Sequence, residues 1–204
     1  MKLICIGRNY TDHIEELNNE RPEHPVVFMK PDSSILLKQH PFVIPEWSDD
    51  VHHEVEVLVR IKKIGKYIDA KFAPSYYDAI SLGIDFTARD LQAQLKSKGL
   101  PWEKAKGFDG AAVIGNEWLP KTSLGDLNTL AFSLEKNGEV VQDGNTSHML
   151  WKIDELISYV SQFFTLKIGD IIFTGTPAGV SKVSPDDKLK GFIGDKEMFS
   201  INIK

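Results

Sequence analysis

Short apolar runs bounded by Gly, Pro, Asn and Asp recur along the chain, and only a few stretches repeat their apolar positions at helical spacing. "KLICIG" predicts a first strand, apolar on both faces, with Cys5 packed in its core. "TDHIEELNN" predicts a short helix with Thr11 as its cap. "PVVFMKP" and "PFVIP" read as Pro-bounded strands, and "HHEVEVLVRI" as a longer one. "AISLGID" predicts a buried strand that ends where "TARDLQAQLKSKG" opens a helix, with Thr87 at the cap, Asp90 three residues on, and Gly99 and Pro101 as the stop. "LAFSLEKNGEVVQDG" is a hairpin, because Asn137-Gly138 is the pair that a tight primed turn demands. In "SHMLWKIDELISYVSQFF", Leu150, Ile153, Leu156, Ile157 and Val160 mark the buried face of a helix. "GDIIFTGTPAGV" is a strand running into a Gly/Pro turn, and "EMFSINI" supplies a last strand. Strands outnumber helices and do not alternate with them regularly, which favours an α+β fold over a doubly wound sheet. No repeat or Gly/Ser linker divides the chain, so residues 1–204 are expected to form one domain.

One strand breaks the apolar pattern. Alternation puts His52, Glu54, Glu56, Leu58 and Arg60 on one face and Val55, Val57, Val59 and Ile61 on the other, which is plainly core. Two accounts of the glutamates stand side by side. In one the face is solvated and the carboxylates are ordinary surface. In the other Glu54 and Glu56 begin a site for a hard divalent cation, which wants oxygen ligands. Asp85, at the end of an apolar strand, is the candidate third ligand, and its competing use is as a turn-former. His52 shares the glutamate face, so a His-plus-carboxylate iron or manganese site competes.

Composition narrows the function classes. The 204 residues carry 42% hydrophobic and 26% charged residues, a globular balance. A net charge of −5 argues against a nucleic-acid partner, which needs a basic surface. No apolar run is long enough for a membrane span or, at the start, for a signal peptide, so the expected location is the cytoplasm. A single cysteine excludes an internal disulfide and a Cys-based zinc cluster. His13 and Glu16 are helical neighbours able to act as a base and its orienting partner, or simply as an exposed pair. Lys30 and Lys106 stand among apolar or turn residues, where either could stabilise an enolate, and Arg8 could bind a carboxylate. "GTPAGV" offers amides and the Thr176 hydroxyl to an oxyanion but lacks a P-loop ending, and no serine-hydrolase elbow or zinc-protease helix occurs.

In this order, "GRNYTDHIEE" (7–16), "FMKP" (28–31), "HHEVEVLVRI" (52–61), "GIDFTARDLQ" (83–92), "KGLPWEKAKGFD" (98–109), "NGEVVQDGNTS" (137–147) and "TLKIGDIIFTGTPAGV" (165–180) resemble the fumarylacetoacetate hydrolase family, in its short single-domain members. The resemblance implies a mixed β-roll with flanking helices, commonly as a homodimer. It implies that Glu54, Glu56 and Asp85 bind Mg2+ or Mn2+, that His13 and Glu16 form a catalytic dyad, and that Lys106 faces the reaction centre. By the same resemblance Arg8, Gln92 and Thr176 contact substrate, and His52 either supports the metal ligands from behind or is structural. The implied substrates are small 2-oxo acids: acylpyruvates for hydrolysis, with oxaloacetate decarboxylation or isomerisation or decarboxylation of an unsaturated 2-oxo dicarboxylate as alternatives, and a non-catalytic metal- or ligand-binding protein on the same scaffold as the rival from another class. Gly110 stands where relatives commonly have Thr, and His148 where they often have Asp or Ser.

Overall fold

The structure is a computed structural model that describes residues 1–16 and 20–204. In chain order the elements are β1 (Leu3–Gly7), α1 (Thr11–Glu16), β2 (Val26–Lys30), β3 (Val51–His53), β4 (Val55–Ile61), β5 (Tyr77–Asp85), β6 (Thr87–Ala88), α2 (Arg89–Ser97) and α3 (Glu103–Lys106). They continue with β7 (Ala112–Ile114), β8 (Leu119–Pro120), β9 (Ala131–Lys136), β10 (Glu139–Asn145), α4 (Ile153–Phe163), β11 (Ile171–Phe173), β12 (Ser181–Lys182), β13 (Lys188–Ile193) and β14 (Lys196–Asn202). The largest sheet runs β2-β1-β11-β4-β5-β7, with β8 also on β5. It is mixed, because β1 and β11 pair parallel while the other neighbours pair antiparallel. A second sheet runs β10-β9-β13-β14 and a third, small one β12-β3-β6. The expected α+β architecture, a curled mixed sheet with few helices, is what the chain adopts.

Local signals hold where the backbone alone decides. Asn137 and Gly138 take φ of 58° and 87°, the left-handed pair that turns β9 into β10. Helix α2 stops at Gly99, whose φ of 63° lets its N–H reach the Lys96 carbonyl while the Leu100 N–H reaches that of Leu95. Cys5 is buried in β1.

Four expectations need correction. "PFVIP" forms only an isolated bridge from Phe42 to Ile203, since this segment meets the chain end and not a sheet edge. Thr87 does not cap α2: it sits in β6, and its hydroxyl donates to the Asp85 carbonyl at 3.4 Å. The Asp90 carboxylate does not reach back to Thr87: it takes the Leu91 N–H at 2.7 Å, the Ser48 hydroxyl at 2.8 Å and the Asp49 N–H at 3.0 Å. Leu150 precedes α4, which begins only at Ile153. The helix expected over "TDHIEELNN" is seen from Thr11 to Glu16, and the end of that stretch lies outside the described residues.

The most consequential difference is in the glutamate strand. It breaks at Glu54, so that β3 joins β6 and β12 while β4 joins β5 and β11. Neither face of β4 is solvated at the glutamates. Val55, Val57, Val59 and Ile61 enter the main core, and Leu58, on the glutamate face, packs into a second apolar cluster with Leu3, Cys5, Ala112, Ile171 and Phe173. Glu54 and Glu56 are thereby buried at the end of β4, beside the end of its antiparallel partner β5, where Asp85 lies.

Candidate active site

Glu54, Glu56 and Asp85 each present a carboxylate oxygen within 4.8 Å of the others, and all three are buried. Three converging carboxylates are stable at such depth only with nearby positive charge. The Lys106 ammonium, from α3, donates to Glu54 Oε2 at 2.8 Å and to Asp85 Oδ2 at 2.7 Å. Arg89, the first residue of α2, pairs with Glu54 Oε1. Lys30, at the end of β2, lies 2.6 Å from Asp85 Oδ1. Burial pushes the Glu54 carboxyl up, but Lys106 and Arg89 outweigh it and hold the group well below the usual carboxylate range. The converse holds for Lys106, where burial disfavours the charge and Asp85 and Glu54 restore it, leaving the ammonium firmly protonated.

Glu56 differs from its neighbours. Burial, then Asp85 and Glu54, push its carboxyl up, opposed mainly by the Gly175 N–H, which donates to Oε2 at 2.7 Å. An all-oxygen cluster with one carboxylate short of positive charge fits a hard divalent cation, which supplies that charge. His52 is not part of the cluster: its Nε2 pairs with Asp50 Oδ1 at 2.9 Å in the small sheet, so the His-plus-carboxylate arrangement does not form.

These carboxylates floor a cavity of about 220 Å³ whose lining includes Arg8, His13, Gln92, Lys106 and Thr176. Every predicted site residue except Glu16 therefore meets in one place. Glu16 stands behind His13, its Oε2 3.3 Å from Nδ1 and its Oε1 accepting the Gly179 N–H at 3.0 Å. Gly179 has φ of 96°, and a β-carbon there would lie 2.1 Å from the Val141 carbonyl oxygen, so this turn admits only glycine. Burial lowers the pKa of His13, with Glu54 and Glu16 partly offsetting the shift. Gly110, at φ of 76°, and the exposed His148 lie outside the cavity lining.

Sequence reasoning passed over Arg89, Phe28, Lys96 and Trp102, which also line the cavity. Arg89 had a readable signal, since it sits inside "TARD" four residues beyond Asp85. Of the two candidate lysines, Lys106 lines the cavity and Lys30 does not.

Gln142 is a buried hub that no local pattern marks. A register shift between Val140 and Gln142 turns its side chain inward. Its Oε1 takes the Val55 N–H at 3.0 Å and pairs with His53 Nδ1 at 2.9 Å, while its amide donates to Thr176 Oγ1 at 2.8 Å and to the Pro177 carbonyl at 3.0 Å. His53 Nε2 meets Ser181 Oγ at 2.8 Å. Burial lowers the His53 pKa to about 4, against the opposing pull of the Gln142 hydrogen bond. An unfolded histidine titrates near 6.5, so between about pH 6.5 and 4 the unfolded chain takes up a proton that the folded one refuses. Stability is therefore expected to fall with pH across that window, by up to about 3 kcal/mol from this residue. Urea midpoints at pH 7 and 4.5, for the parent and for His53→Asn, check this. An equal acid loss in both proteins would remove His53 as its cause.

Comparison with known proteins places the geometry. The family model described as "Fumarylacetoacetate (FAA) hydrolase C-terminal" matches residues 2–204. The chain belongs to the fumarylacetoacetate hydrolase family. Among its relatives, the mitochondrial oxaloacetate decarboxylase of Dictyostelium discoideum is 43% identical over 190 residues, covering 93% of this chain and 87% of that protein. The human mitochondrial oxaloacetate tautomerase FAHD1 is 38% identical over 191 residues, covering 94% and 86%. The crystal structure of fumarylpyruvate hydrolase from Pseudomonas aeruginosa in complex with Mn2+ and pyruvate superposes with a TM-score of 0.93 at 33% identity, covering 100% of this chain and 89% of that one. The family thus contains decarboxylase, tautomerase and hydrolase members that share this fold. Among the described residues no helix is long and apolar enough to cross a membrane.

Proposed function

We propose that this family member hydrolyses the carbon–carbon bond of an acylpyruvate to give pyruvate and a carboxylic acid, with Mg2+ or Mn2+ held by Glu54, Glu56 and Asp85. The observation that carries the reading is that His13, backed by Glu16, lines the same cavity as the three carboxylates and Lys106. A cation held by those carboxylates would supply Lewis acidity to the 2-oxo acid head of the substrate.

The side chains account for the remaining steps. Donation from His13 Nδ1–H to Glu16 leaves the Nε2 lone pair available, and its lowered pKa keeps the ring neutral at physiological pH. His13 then removes a proton from water as the oxygen attacks the 4-carbonyl. The bond between C3 and C4 breaks, its electron pair passes to C3 as pyruvate enolate, and the attacked carbon leaves as the acid. The Lys106 ammonium offsets the developing negative charge, and a proton taken up at C3 completes pyruvate. Arg8, Gln92 and Thr176 orient the substrate from the cavity wall.

Oxaloacetate decarboxylation is the second reading, favoured by the relatives of that name. It needs the same enolate stabilisation but no activated water. The two separate in one NMR experiment on acetylpyruvate and oxaloacetate, each with Mg2+. Acetate and pyruvate formed from the first substrate support hydrolysis; carbon dioxide and pyruvate from oxaloacetate alone support the second reading and refute the first. A single catalytic domain, a homodimeric state and a cytoplasmic location complete the proposal.

A further inference from the structure

Lys30 is the most deeply buried cation of the site, with a side chain that has no solvent exposure. Its ammonium points at Asp85 Oδ1 at 2.6 Å, at the Phe86 carbonyl at 3.2 Å and at the Lys106 carbonyl. The two carbonyls accept hydrogen bonds, and the Asp85 contact is an ion pair. All three partners are groups of the protein itself, and Lys30 does not line the cavity, unlike Lys106.

Its effect falls on Asp85. Oδ1 is ion-paired with Lys30, while Oδ2 is turned toward Glu54, where Lys106 bridges the two carboxylates. The other two carboxylates are restrained in the same way from different elements, Glu56 Oε2 by the Gly175 N–H and Glu54 Oε1 by Arg89. A carboxylate so pinned cannot turn both oxygens to one ion without breaking an ion pair or a buried hydrogen bond. Ca2+ takes six to eight oxygens and commonly uses bidentate carboxylates, whereas Mg2+ keeps to octahedral geometry.

We propose that Lys30 is a positioning residue that restricts Asp85 to one metal-binding oxygen and so sets the preference of the site for a small six-coordinate cation over Ca2+. The inference rests on the cation site of the proposed function, and Lys30 is its cleanest probe. Arg89 lines the cavity, and the Gly175 donor is backbone.

The test is binding, not turnover. Mn2+ affinity is read by electron paramagnetic resonance of the free ion, and Ca2+ and Mg2+ affinities by competition, in the parent and in Lys30→Met. The parent is expected to favour Mn2+ over Ca2+ by about 100-fold. Lys30→Met is expected to lose about 10- to 100-fold in Mn2+ affinity and much less for Ca2+, so the ratio narrows about tenfold. General loosening of the site would weaken both ions alike, so an unchanged ratio in the folded variant overturns the proposal. Equal affinity of the parent for Ca2+ and Mn2+ overturns it without any variant. A parent that binds Mn2+ without discrimination refutes only the role of Lys30; one that binds no Mn2+ refutes the cation site itself.

Discussion

Lys106→Met is expected to destabilise the metal-free protein by about 3–5 kcal/mol, the usual cost of removing one partner from a buried ion pair. Methionine replaces the length of the stem but not the ammonium, which bonds both Glu54 Oε2 and Asp85 Oδ2. What remains is three buried carboxylates whose ion-pair partners among the described residues are Arg89 and Lys30. The direction with pH follows from linkage. Without Lys106 the burial that pushes the Glu54 and Glu56 carboxyls up is less opposed, so the folded chain holds protons that the unfolded chain has lost. The deficit should then grow as pH rises from 5 to 8. Added Mn2+ should recover part of it by returning positive charge to the cluster. Urea midpoints at both pH values, with and without Mn2+, read all three effects. A variant as stable as the parent at pH 8 would mean that the carboxylates are neutralised in some other way.

His13→Ala should reduce acetylpyruvate hydrolysis by about 10²- to 10⁴-fold, the range for loss of a general base, while leaving Mn2+ affinity intact. Among the described residues no hydrogen bond or ion pair links His13 to the three carboxylates, and its hydrogen-bond partner is Glu16, so the variant keeps the cation site. Oxaloacetate decarboxylation needs no base for water and should survive. In the parent, the acid limb of kcat/KM should lie below the ordinary histidine value, because burial lowers the pKa of His13 and only the neutral ring accepts a proton. Steady-state kinetics on both substrates, from pH 4.5 to 8, checks each point. Equal losses on the two substrates would take water activation away from His13.

Elements set by backbone preference were legible in the sequence: the Asn137-Gly138 turn, the Gly99 stop and the apolar face of α4 from Ile153 to Val160. The spacing put Glu54 and Glu56 on one face and Asp85 at the end of an apolar run, but a solvated surface and a turn fitted it equally, and only the family resemblance joined the three carboxylates into one set. Non-local pairing was not legible. The alternation of "HHEVEVLVRI" continues smoothly through Glu54, yet the strand changes sheets there, since β3 and β4 find different partners. Burial of both glutamates depends on Leu58 finding the second apolar cluster, with residues from β1, β7 and β11. Gln142 escaped notice because a register shift reverses its facing, and Lys30 could not be told apart from Lys106 because its partners lie 55 or more positions along the chain. Both cases record tertiary contacts that no window of sequence contains.

The most direct test of the account is the ultraviolet loss of acetylpyruvate enol on adding metal-stripped protein, with and without Mg2+. The account predicts loss only when the cation is present, with acetate and pyruvate as products. Loss at the same rate without any divalent cation would contradict the cation at Glu54, Glu56 and Asp85, and no loss under either condition would contradict the hydrolase.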